Sequence, residues 1–196
     1  MRYKALIIAS ISFVTLFGCY QNEESKGATT PAEQAATPDA NSTATIPTPA
    51  NEAAAPDFVD KAGASDMFEI VSARVAIERS ANPSVEEFAQ AMIDAHTKSS
   101  NDLKKAIADS GQTLTLPAAL PNALQNKLDD LSNADMQDFD RAYMESQIDA
   151  HQDALNVMHR YAEDGDIATI RTFAAATAPV VQQHLTMAKD IRGALE

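Results

Sequence analysis

The sequence predicts an all-α protein: four long helices packed as a bundle, with one long crossover between the second and third, behind an N-terminal leader and a tether. Three observations carry that reading. From residue 57 onward apolar residues recur at three- and four-residue spacing, and no strand-like alternation appears. Proline and glycine are sparse there and fall near breaks. The stretches between breaks would make helices of roughly 30–45 Å at ~1.5 Å per residue.

The 196 residues have room for one domain of ordinary size with a tail. The chain opens "MRYKALIIASISFVTLFGC", where Arg2 and Lys4 precede an apolar run over 5–17. That run is about half the ~20 residues a membrane-spanning helix needs. Positive charge, a short apolar stretch and small residues describe a secretory signal over 1–18. Cys19, the only cysteine, follows "LFG". Leu-x-Gly-Cys resembles the lipobox of bacterial lipoproteins, which implies that Cys19 is lipidated and becomes the mature N-terminus. The alternative is a plain secretory signal with an incidental thiol, although a lone exported thiol is open to oxidation. Tyr20 stands where an Asp often retains lipoproteins at the inner membrane. The resemblance therefore implies an exported protein on the periplasmic side of the outer membrane, attached to it by the lipid anchor.

A single cysteine leaves no internal disulfide for the mature fold. The formal net charge is −13, and the signal carries off two basic residues and no acidic one. Such a surface repels nucleic acid and anionic headgroups, so DNA and RNA are not expected partners. Cations are the natural small ligands. Residues 19–56 carry the lipidated Cys19 and then an Ala/Thr/Pro-rich segment with few large apolar side chains. It cannot bury enough surface to offset the entropy of ordering, so it reads as a disordered tether.

The helical domain occupies 57–196. Its first helix spans about 57–79. "NPSVEEF" then places Asn82 and Pro83 at a break, with Ser84 and Glu87 in capping-box spacing for the second helix, 84–109. Gly111 opens the irregular "GQTLTLPAALP", and a short helix is expected across 122–131. "SNAD" ahead of Met136 marks the start of the third main helix, 135–162. "EDGD" makes a tight connection into the fourth, 166–195. The first and last connections are short and join antiparallel neighbours. The long segment 110–134 can run back along the bundle, making helices two and three parallel as in ferritin-like folds.

Three of the four histidines fall on inward stripes. Helix two reads Val85, Phe88, Met92, His96, Ser99, Leu103, Ile107. Helix three reads Met136, Phe139, Tyr143, Gln147, His151, Leu155, Met158, and helix four Ile170, Ala174, Thr177, Val181, His184, Ala188, Ile191, Leu195. His159, beside Arg160, is nearer the edge. The tetrapeptide "IDAH" closes on both His96 and His151, but its aspartates, Asp94 and Asp149, lie two residues away and point elsewhere. On helix one, Glu69 belongs to a face of small residues with Ala62, Ser65, Ser72 and Ala76.

Height along the bundle agrees with this grouping. His96 is 13 residues after Pro83 and His151 is 16 after Asp135, while Glu69 is 13 before Asn82. His151 is 14 before Gly165 and His184 is 19 after it, a mismatch worth about 7 Å at ~1.5 Å per residue. One polar side chain from each helix thus approaches a middle layer. Buried without partners, such groups cost roughly 1–3 kcal/mol each. A single transition-metal ion at Glu69, His96, His151 and His184 would satisfy them, and nitrogen with one carboxylate suits zinc, copper, iron or nickel. Met92 and Met187, one turn from two of the histidines, add soft sulfur that favours copper. The competing reading is a satisfied core, in which Glu69 bonds one histidine and Tyr143, Gln147, Ser99 or water serve the others.

The stretches "FVDKAGASDMFEI", "ANPSVEEFAQAMIDAHTKSSNDL", "FDRAYMESQIDAHQDAL" and "FAAATAPVVQQHLTMAKDI" resemble the bacterial family called domain of unknown function 4142. The resemblance implies a ferritin-like bundle in an exported or lipid-anchored protein. Its pattern carries over to Glu69, His96, His151 and His184, with Asp94, Asp140, Tyr143 and Pro179. Ferritin di-iron sites place a Glu three residues before a ligand histidine. Here Ile93, Ile148 and Val181 stand there, so no standard di-iron site is expected.

Two functions follow: an envelope metal-binding module for storage, sensing or stress protection, or a structural adaptor lipoprotein with a satisfied histidine cluster. A hydrolytic enzyme is the weaker reading, since no nucleophile elbow, phosphate loop or HExxH helix is present. Histidines buried in neutral form should make stability fall below pH ~6.5.

Overall fold

The computed structural model describes residues 53–196. The signal, Cys19 and residues 20–52 of the expected tether lie outside them. Five helices follow: α1 (Ala55–Arg79), α2 (Pro83–Ser110), α3 (Asn122–Asn133), α4 (Phe139–Asp164) and α5 (Ala168–Ala194). No strand occurs among the described residues. The fold is therefore all-α, with four long helices and the short α3 in the crossover.

Helix ends explain where the boundaries differ from expectation. α1 begins two residues early, and Ala55 is already buried. α2 is capped by Asn82, whose side chain accepts from the Ser84 N–H at 3.0 Å, rather than by a Ser84–Glu87 box. Pro83 suits the first turn, where its missing N–H costs nothing. Gly111 ends the helix in the left-handed region (φ 69°), which a side chain would strain. α4 starts at Phe139, not 135, and Met136 is 64% exposed rather than inward. Residues 134–138 form the turn out of α3 instead. Arg79 holds that turn: its guanidinium donates to the Leu131 and Ser132 carbonyls at 2.6 and 2.8 Å and lies 4.7 Å from the Phe139 ring centroid.

Two apolar cores show the helix directions. Phe58 and Val59 near the start of α1 pack with Leu103 and Ile107 of α2, Leu155 and Tyr161 of α4, and Ile170 and Phe173 of α5. At the other end Ala73 and Ala76 meet Val85, Phe88 and Met92, Phe139, Tyr143 and Met144, and Ala188. α2 and α4 are thus parallel, and α1 and α5 run against them. α1 packs on α2 and α4, while α5 packs on the same two helices. The crossover lies against α1 at Gly63, where an added Cβ would sit 2.7 Å from Pro117 Cδ.

The N-terminus of α1 has no cap from its own residue Ala54. Asp166, 111 residues away, supplies it: Oδ1 accepts from the Ala55 N–H at 3.0 Å and from the Tyr161 hydroxyl at 2.9 Å. Asp166→Ala leaves both donors without that acceptor and should cost about 2 kcal/mol, read as a lower denaturant midpoint at unchanged slope.

Candidate metal centre

Between the two cores lies a polar layer of Asp66, Glu69, Ser72, His96, Gln147 and His151, all buried. His184 of α5 joins it, half-buried. One ligand atom from each of His96, His151 and His184 lies within 4.8 Å of the others. Their ring centroids form a nearly equilateral triangle of 5.5, 5.6 and 5.9 Å. Each ring carries a buried nitrogen with no hydrogen-bond partner: His96 Nε2, His151 Nε2 and His184 Nδ1.

Two rings are fixed from behind. His96 Nδ1 is 2.8 Å from Asp66 Oδ1, and Asp66 Oδ2 also accepts from the Ser100 hydroxyl at 3.1 Å. His151 Nδ1 is 2.8 Å from the backbone carbonyl of Gln147, so the proton sits on Nδ1. Both contacts leave Nε2 without a hydrogen-bond partner. Metal-bound histidines are anchored in this manner, the second nitrogen donating to a carboxylate or a carbonyl.

Asp66 escaped the sequence reading, which put Ser65 on the inward face. The spacing Ala62, Asp66, Glu69, Ala73, Ala76 alternates fours and threes just as well. All five are buried, and Ser65 is only half-buried.

Glu69 stands beside the three nitrogens rather than among them. Its Oε1 is 4.0 Å from His151 Nδ1, and neither carboxyl oxygen has a hydrogen-bond partner. Burial pushes its pKa up to about 7, against the pull of His96. Gln147 is fully buried and its amide reaches the Ser72 hydroxyl at 3.4 Å. Tyr143 is fully buried with its hydroxyl unpartnered; burial and then Glu69 raise its pKa well above the ordinary value. Met92 is fully buried one turn from His96, and Met187 is 36% exposed. Asp94 is exposed and bonds Gln90 on its own helix. Asp140, eleven residues before His151, and the exposed Pro179 do not enter the cluster.

The three rings differ electrostatically. Burial, then the charge of His96, lowers His151 to about 3, and the same two causes lower His184 to about 4. His96 is also opposed by burial, but its bond to Asp66 and the charges of Glu69 and Asp66 raise it on balance. His151 and His184 are therefore neutral bases at neutral pH, while Asp66 and Glu69 favour the protonated form of His96. A cation entering the cluster needs the neutral form of all three rings, so it competes with protons there. Two carboxyl groups, Asp66 and Glu69, flank the three rings.

The family described as "Domain of unknown function (DUF4142)" matches residues 40–191, and the chain belongs to it. The match begins inside the segment read as a tether. No curated protein and no solved structure matches the chain.

Proposed function

We propose that this DUF4142 protein is an envelope metal-binding module, holding one transition-metal ion at His96, His151 and His184 for storage, sensing or stress protection. The observation that carries the reading is the set of three buried, unpartnered imidazole nitrogens within 4.8 Å of one another. A cation meets all three at once. Nitrogen donors suit zinc, copper, iron or nickel, and three histidines leave a coordination position open for water or a further ligand. Asp66 orients His96, the Gln147 carbonyl orients His151, and Glu69 contributes charge from beside the cluster. A lipidated Cys19 would hold the module at the periplasmic side of the outer membrane.

The test is elemental mass spectrometry of the Cys19→Ala protein purified without chelators. The expected result is about one transition-metal ion per chain, lost in His96→Ala or His184→Ala. Metal-free protein that takes up none on addition would instead support the adaptor with a satisfied core. For the anchor, acyl label incorporated in cells should disappear in Cys19→Ala, and label that persists there refutes it.

Asp66→Asn keeps an acceptor for His96 but removes the charge behind it. Metal affinity should fall about 10–100-fold, as for other groups that orient a ligand histidine. Competition titration against a chromophoric chelator measures the change.

A further inference from the structure

The histidine cluster borders a cavity of about 30 Å³ walled partly by Asp66, His96 and His184. It has room for one small solvent molecule or an ion, not a fully hydrated ion. Two surface grooves of about 500 and 490 Å³ flank it. The α1/α4 groove meets the cavity across Ala62, Ser65, Ala154 and Met158. The α2/α5 groove meets it across Ala95, Ser99, Thr177 and Val180.

The two walls differ. Ala62 and Met158 are 3% and 4% exposed, so core packing closes the first. The second wall contains no buried residue: Ala95, Ser99 and Thr177 are half-buried and Val180 is 44% exposed. Its groove is balanced, with Lys98 paired to Asp102 and Lys105 to Asp109. The Ser99 hydroxyl oxygen is inaccessible and unpartnered at this wall. His184, the only half-buried ring of the three, stands on the same side.

We propose that the ion enters from the α2/α5 side, between Ala95 and Ser99 on one helix and Thr177 and Val180 on the other, and meets His184 first. This rests on the metal-site reading above. The Ser99 and Thr177 hydroxyls replace water oxygens as the hydration shell is shed at the constriction. Ions that dehydrate reluctantly, such as magnesium, are held back there.

Stopped-flow uptake of cobalt(II), followed by its visible absorption, tests the route in the full chain carrying Cys19→Ser. Thr177→Leu and Val180→Phe should each slow association about tenfold or more, with dissociation slowed in step and the affinity little changed. Val180 is exposed, so that variant keeps its fold, and its melting temperature checks this. Ser65→Leu and Ala154→Leu on the opposite wall should leave the rate unchanged. Slowing by the α1/α4 variants, or wild-type rates in both α2/α5 variants, would overturn the route alone. Failure of wild-type protein to take up cobalt(II) at equilibrium would overturn the metal site, and the route with it.

Discussion

Zinc(II) added to metal-free protein at a free concentration a hundredfold above its dissociation constant should raise the unfolding free energy by about 2.7 kcal/mol. For a domain of this size that is a melting-temperature gain of roughly 10 °C. His96→Ala and His184→Ala should lose the gain, because each removes one of the three unpartnered nitrogens. His159→Ala should keep it, since that histidine is exposed and outside the cluster. Calorimetry with and without chelator checks all four proteins. An undiminished gain in His96→Ala would place the ion elsewhere.

Glu69→Gln should act in opposite directions with and without metal. In the metal-free fold the carboxyl pKa is raised from 4.5 to about 7 by burial. The folded chain therefore holds a proton, between those values, that the unfolded chain has released. Stability falls as pH rises through this window, and above pH 7 the full cost remains. At about 1.4 kcal/mol per pH unit it comes to about 3 kcal/mol. Gln carries no such cost. In chelator the variant should be more stable than wild type at pH 8, and the advantage should vanish by pH 4.5. With metal bound, a nearby cation favours the ionised carboxylate, so Glu69→Gln should weaken binding. A variant no more stable than wild type at pH 8 in chelator would show that Glu69 is not buried as described.

His151 and His184 run the other way. Their pKa values are lowered to about 3 and 4, so their contribution is present above ~6.5 and lost as pH falls toward those values. The histidines alone would make acid destabilising. Glu69 and the raised His96 oppose that slope, because both bind protons more tightly in the folded state. Metal-free wild type should thus show a shallower fall in stability below pH 6.5 than the histidines alone give. Comparing it with Glu69→Gln separates the opposing contributions.

Residue counting alone misjudges the relative heights of His151 and His184. From Gly165, His151 and His184 differ by five residues, about 7 Å at ~1.5 Å per residue. The helix ends at Asp164 and Ala168 put them 13 and 16 residues along, a mismatch of three. The side chains cover what is left, and the ring centroids are 5.5 Å apart. Asp66 was missed for a related reason. On an alanine-rich helix, adjacent residues 65 and 66 both continue a small-residue stripe, and only contact with α2 decides between them.

The helices, the parallel course of α2 and α4, and the inward placement of His96, His151 and His184 were all legible along the chain. Those follow from local backbone periodicity and connection length, both written in consecutive residues. Tertiary structure alone decided that Asp166 caps α1 across 111 residues, that Arg79 holds the turn after α3, and that Asp66 fixes His96. It also set Glu69 beside the cluster and brought the three unpartnered nitrogens together. Such pairings depend on which side chains meet between helices, and no periodicity within one helix records them.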